Sequence, residues 1–133
     1  MNINILDYRE INAHGLSFEL MVDGHLLGTL LGAGHTAIPY WLIENDLPSL
    51  PMYDEEYAPE IHITTVAACC GEYGCGHTHC RVIAEGSTVL WRDFYVWESA
   101  QGAKKVFRFT RANYDAVISA IAQRSKEYGS RTK

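Results

Sequence analysis

The dipeptide Asp23-Gly24 constrains this chain more than any other pair of residues, because both tolerate the positive φ angles of a two-residue type I′ turn. LSFELMV (16–22) precedes it and HLLGTLL (25–31) follows, with apolar residues alternating on both sides. The predicted element is a β-hairpin that pairs Val22 with His25, Leu20 with Leu27, Phe18 with Thr29 and Leu16 with Leu31. That face is largely apolar and is expected to meet the core. The opposite face, with Ser17 and Glu19, is expected to be wetter.

A second constraint lies at the other end. Val106–Phe109 reads as a short strand, and Thr110 then offers a hydroxyl to the unpaired N–H groups of a helix start. Tyr114, Val117, Ile118, Ile121 and Ala122 follow the i, i+3, i+4, i+7, i+8 spacing of one helical face. Asp115 sits early, Arg124 and Lys126 sit late, and Gly129 is placed to close the helix, which predicts a span of 111–128. Between these ends, the β-branched stretch 60–68 predicts a strand entering the cysteine segment. Residues 77–84 and 87–97 predict a hairpin about Glu85-Gly86, with Val82 opposite Val89, Cys80 opposite Trp91 and Arg92 opposite His79. Residues 36–59 carry all four prolines and read as one long irregular connection, with a short strand or helical turn near Tyr40–Ile43. The expected fold is a single α+β domain over 1–133, with an antiparallel sheet of about six or seven strands built from two hairpins. The C-terminal helix packs across one face of it.

Charge and composition narrow the functional classes. The chain has 133 residues, 47% of them hydrophobic, and no apolar run reaches the roughly 18 residues of a membrane span. MNINILDYREINAH lacks the basic and apolar regions of a signal peptide, so a reducing cytoplasm and no membrane are expected. A net charge of −5 argues against a general nucleic-acid binder. The charges are unevenly spread: residues 1–100 hold three basic and fourteen acidic residues, and residues 101–133 hold eight basic and two acidic. Two readings of that asymmetry stand, a basic C-terminal segment packed over an acidic body and a basic stripe for an anionic partner. Within the acidic stretch 44–60, Asp54, Glu55 and Glu56 are the candidate contacts to a protein partner, against the plainer reading of a solvated loop.

CCGEYGCGHTHC, residues 69–80, contains every cysteine of the chain. Cys70 and Cys75 are separated by four residues with glycines at both inner flanks, within the spacing of structural zinc sites. Zinc needs four ligands, and Cys69, His77 and His79 are the candidates to complete the set, with His62 a further donor. His77 and His79 share one face of the outgoing strand. Cys80 falls on the other and is expected beside Trp91 as a small buried hydrophobe. The alternatives left open are a Gly-rich turn with apolar cysteines and solvated histidines, and a reactive thiol at Cys75 beside His77. A CxxC redox motif is absent.

The block C70-G-E-Y-G-C75, then Arg81-Val82, W91-R-D-F94, F107-R-F-T-R111 and Tyr114 resembles a group of small bacterial proteins of unknown function. In that group a C-G-x-x-G-C turn precedes an Arg-bearing strand, a W-x-D-F strand and an F-x-F-[D/T]-R-x-x-Y helix start. The resemblance covers the second half of the chain and implies no activity. Trp91 is expected under the sheet, and Asp93, on the same face, bonded to nearby backbone or in a structural ion pair with an arginine such as Arg111, against the alternative of a catalytic role. The expected function is a non-catalytic protein-binding, adaptor or regulatory domain, with 69–80 a candidate structural zinc knuckle weighed against a metal-free turn and no other cofactor expected. The alternative is a metal-dependent or cysteine-based enzyme centred on 69–80.

Overall fold

The structure, a computed structural model, describes residues 3–12, 15–32, 37–40, 61–66, 77–96 and 104–132. Strand β1, Leu6–Asn12, pairs antiparallel with β2, Leu16–Val22, from Leu6↔Val22 to Asn12↔Leu16. The turn after β2 has the predicted conformation, with φ of 52° at Asp23 and 82° at Gly24. Val22↔His25 is the pair foreseen, but β3 is only His25–Leu26. The chain then coils into α1, Leu27–Leu31, so the expected pairs Leu20–Leu27, Phe18–Thr29 and Leu16–Leu31 do not form. Leu27 and Leu31 lie one helical turn apart and are both buried, so the leucine spacing serves a helix as well as a strand. Gly32, at φ 70°, ends α1 in the left-handed conformation that glycine adopts at little cost. The place beside Ser17 and Phe18 is filled by β4, Ile38–Pro39, from the stretch read as irregular.

These neighbours correct a second expectation. Ser17 and Glu19 are as buried as Phe18 and Leu20, so β2 is covered on both faces. Period-2 alternation reports polarity, and the sheet's depth decided burial here.

A second sheet holds β5 (Ile61–Val66), β6 (His77–Glu85), β7 (Thr88–Val96) and β8 (Phe107–Thr110) in that order, all antiparallel. The strands therefore divide between two sheets, where one was expected. The sheets meet at both margins: Asn4 N donates to Arg108 O (2.7 Å), Arg108 N donates to Asn4 Oδ1 (2.9 Å), and β4 lies beside β5.

Helix α2, Arg111–Thr132, starts as expected, with Asn113 N donating to Thr110 Oγ1 at 3.2 Å. Asn113 also pins the start of β1, accepting from Leu6 N (2.8 Å) and donating to Leu6 O (3.0 Å). The stripe Tyr114, Val117, Ile118 and Ile121 is buried in one core cluster with residues of both sheets. Gly129 does not close the helix; it lies inside the last turns and is buried. No helix among the described residues is long and apolar enough to cross a membrane.

Candidate functional site

Val66 pairs with His77, so the segment 67–76 connects two strand ends held side by side. The thiols Cys69, Cys70 and Cys75 lie outside the described residues, as do Asp54, Glu55 and Glu56. His77 and His79 occupy alternate positions at the start of β6, opposite Val66 and Thr64. His62 is in register with Arg81, four positions from the partner of His77. That displacement is roughly 13 Å along the strands, against about 7 Å between His77 and His79. The register therefore favours the two β6 histidines as a pair and sets His62 apart from His77. Cys80 is fully buried in the core cluster, as its strand position implied. Among the described residues no three His, Cys, Asp or Glu side chains gather around a common point.

The β6–β7 hairpin departs from expectation by one residue. Its turn is Gly86-Ser87, so Val82 faces Trp91 and Ala84 faces Val89. Beyond Arg81↔Arg92 the register slips, and the next pair is His79↔Tyr95. One residue of β6, Cys80, thus opposes two of β7, Asp93 and Phe94, which defines a β-bulge. Asp93 has φ 56°, the left-handed conformation usually taken by glycine at the first position of such a bulge. The extra residue explains how both Trp91 and Phe94 reach the core, at 0% and 4% exposure, while the Asp93 side chain between them is 59% exposed. Simple alternation had placed Asp93 beside Trp91. The bulge turns it outward, and its ion pairs are with Arg81 (3.7 Å) and Arg92 (3.5 Å), not Arg111.

Beneath the bulge is an aromatic cluster. Trp91 stacks edge-on against Phe94, Phe109 and Tyr114, and its Nε1–H donates to Tyr114 Oη at 3.1 Å. The quoted residues Arg81, Trp91, Asp93, Phe94, Phe107, Phe109 and Tyr114 are in this way brought into one neighbourhood of core and overlying surface.

Other polar groups tie elements together. Glu19, buried on β2, accepts from Arg9 on β1 at 2.9 Å and 3.1 Å. Glu85 accepts from Arg108 at 3.0 Å, and Glu10 accepts from Arg124 of α2 at 3.1 Å and 3.2 Å. Asp23 accepts from Asn4 Nδ2 at 2.7 Å and Ile5 N at 2.8 Å, and these bonds hold its carboxyl below the usual value. A cleft of about 310 Å³ is lined by Glu10, Ile11, Asn12, Leu16 and Tyr128. Its wall is fixed by Tyr40, edge-on to Tyr128 at 4.7 Å. Gly15 faces Tyr40 so closely that an added Cβ would lie 3.3 Å from the ring, and its φ of 99° also favours glycine.

The sequence reading missed β1 and with it Arg9–Glu19 and Glu10–Arg124. The available signal was Leu6 and Tyr8 alternating with Asp7 and Arg9, a half-buried strand pattern. Compared with family models, curated proteins and solved structures, the chain matches none.

Proposed function

We propose that this chain is a non-catalytic protein-binding or adaptor domain acting in the cytoplasm. Its acidic stretch, with Asp54, Glu55 and Glu56, receives a basic surface of a protein partner. The observation that carries the reading is how charge is distributed. From residue 10 to residue 80 the sequence has ten acidic residues and no lysine or arginine. The carboxylates of Glu10, Glu19, Glu85 and Asp93 already act as ties within the fold. Residues 54–56 place three further carboxylates in succession within that stretch. Such a field steers association with a cationic partner.

The same proposal makes 69–80 a structural zinc knuckle, with ligands drawn from Cys69, Cys70, Cys75, His77 and His79. Pairing of Val66 with His77 supports it, because it ties the two ends of the thiol segment and lowers the entropy of bringing four ligands together. Kinship with the small bacterial proteins that share these motifs belongs to the proposal too, supported by the common neighbourhood of Arg81, Trp91, Asp93 and Tyr114.

Affinity capture from the native host tests the function, with wild type run beside the triple variant Asp54→Lys, Glu55→Lys, Glu56→Lys. A partner retained by wild type and lost with the variant is expected. No partner, together with turnover that stops when a thiol is alkylated, would transfer the assignment to an enzyme centred on Cys75 and His77.

A further inference from the structure

We propose that the outer edge of β1 is a docking site for an extended peptide of a partner protein, one that carries a basic side chain opposite Asp7. Strand β1 stands at the margin of its sheet and pairs with β2 alone. Its open side is identified at Leu6, whose N–H and C=O both bond the side-chain amide of Asn113, away from β2. Asn113 does there what a neighbouring strand would do, accepting one bond and donating the other. By the two-residue period of a strand, the backbone groups of Tyr8, Glu10 and Asn12 face the same way. Tyr8 N donates to Asp7 Oδ1 at 2.8 Å. The groups that follow, from Tyr8 O to Asn12 N, have no partner among the described residues. An unpaired edge is a template for another strand, and a polypeptide backbone offers donors and acceptors at this spacing.

Space and charge fit that occupant. Helix α2 runs alongside β1: Asn113 bonds Leu6 and Arg124 bonds Glu10, a separation of about 16 Å on the helix and about 13 Å on the strand. A short side chain bridges the two elements at one end and a long one at the other, so the gap widens toward Asn12. There the cleft of about 310 Å³ lies between residues 10–12 and Tyr128. Between Asn113 and Arg124 the helix carries Ala116 and Ala120, both small and neither fully buried. Arg9 is paired with Glu19 and Glu10 with Arg124, but among the described residues Asp7 meets no cation. A basic side chain opposite Asp7 neutralises it and draws its carboxylate off Tyr8 N, which frees one more donor for pairing. A second copy of the chain fits less well. Antiparallel self-pairing of β1 about Arg9 or about Glu10 sets like charges face to face. Centred on Tyr8 it needs the Leu6 groups that Asn113 holds, and centred on Ile11 it engages just Glu10 and Asn12. This surface includes neither residues 54–56 nor the proposed zinc ligands, so it goes beyond the function proposed above and stands or falls separately.

The test titrates the full chain with the hexapeptide acetyl-TVTTVK-amide and follows the backbone amide resonances. Antiparallel pairing sets the third residue of the peptide opposite Glu10 and its lysine opposite Asp7. Saturable shifts at Tyr8, Glu10 and Asn12 are expected. N-methylation of the third residue, whose N–H faces β1, should weaken binding roughly tenfold, as loss of a hydrogen bond implies. N-methylation of the fourth, whose N–H faces away, should leave the affinity within about twofold. Changing the lysine of the peptide to glutamate should weaken binding several-fold. In the protein, Glu10→Pro removes an outward N–H that the ladder with β2 does not use, and it should bind far more weakly than Glu10→Ala, which loses the same ion pair. The peptide series decides the matter if Glu10→Pro does not fold. Absence of saturation, equal losses from the two N-methylated peptides, or a glutamate peptide that binds as well as the lysine one would each overturn the proposal. Shifts at the same residues on concentrating the protein alone would give the edge to a second copy, and would overturn it too.

Discussion

Replacing Tyr114 with phenylalanine removes a buried hydrogen bond. Trp91 and Tyr114 are 0% and 1% exposed, and the indole N–H donates to the phenol oxygen at 3.1 Å. The ring of Tyr114 stands nearly perpendicular to that of Trp91, with centroids 6.0 Å apart, and Phe keeps this packing. The change therefore removes the bond and strands a donor that water does not reach. The bond contributes a net ~1 kcal/mol, and leaving a buried donor unmatched adds a desolvation penalty, giving a total of about 2 kcal/mol. For a domain of this size, that corresponds to a fall in Tm of roughly 6–10 °C. Urea unfolding, followed by circular dichroism and tryptophan emission, measures the loss directly, and the slope with denaturant should not change. In a Trp91→Phe background the same substitution should be milder, because no indole donor remains to be stranded. A loss below about 0.5 kcal/mol at unchanged slope would show that the buried bond contributes little, and the reasoning would fail.

Three further substitutions probe other parts of the fold. Ser125 is fully buried in α2 and its hydroxyl has no hydrogen-bond partner among the described residues, so Ser125→Ala should be neutral or stabilising by up to about 1 kcal/mol in the same unfolding assay. Arg9→Ala strands the carboxylate of Glu19, whose side chain is only 5% exposed, whereas Glu19→Gln leaves an amide oxygen to accept from a guanidinium that water already reaches. The first should therefore be the more destabilising, by about 1–2 kcal/mol after allowing for solvent around Arg9. Asp23 has its carboxyl lowered from 3.8, first by the Asn4 bond and then by the Ile5 bond, so its contribution is present above that value and disappears as pH falls through the folded-state value. Asp23→Asn, which keeps a residue tolerant of φ 52° while removing the charge, should melt below wild type at neutral pH, and the two melting curves should converge in strong acid.

What the sequence disclosed depended on whether a residue's role was set by near neighbours. The Asp23-Gly24 turn and the capped helix beginning at Arg111 were both legible, because φ preferences and 3.6-residue spacing act over a few positions. The fate of Leu27–Leu31 was not, since it turned on whether β4 took the place beside Phe18, a contact 20 residues away. Ser17 and Glu19 misled for a related reason: both are polar, and only the two-sided covering of β2 buries them. At the candidate site, the burial of Cys80 followed from strand parity alone. The partners of Asp93 did not, because one inserted residue inverts every parity argument beyond it.

That insertion links the interior of the hairpin to its surface. With strict alternation after Trp91, the carboxylate of Asp93 would enter the aromatic cluster and Phe94 would face water. Burying an unpaired carboxylate there would cost several kcal/mol, far more than the roughly 1–3 kcal/mol of a left-handed non-glycine residue. The bulge is therefore the cheaper arrangement for the sequence W-R-D-F: it retains Trp91 and Phe94 in edge-on contact at 6.3 Å and places Asp93 over the two arginines. Core packing alone would be served at least as well by glycine at position 93, which takes φ 56° without strain. A carboxylate in that place adds nothing to the interior. What it adds is charge between Arg81 and Arg92, so the physical reason for an aspartate at this position lies on the outer face of the sheet.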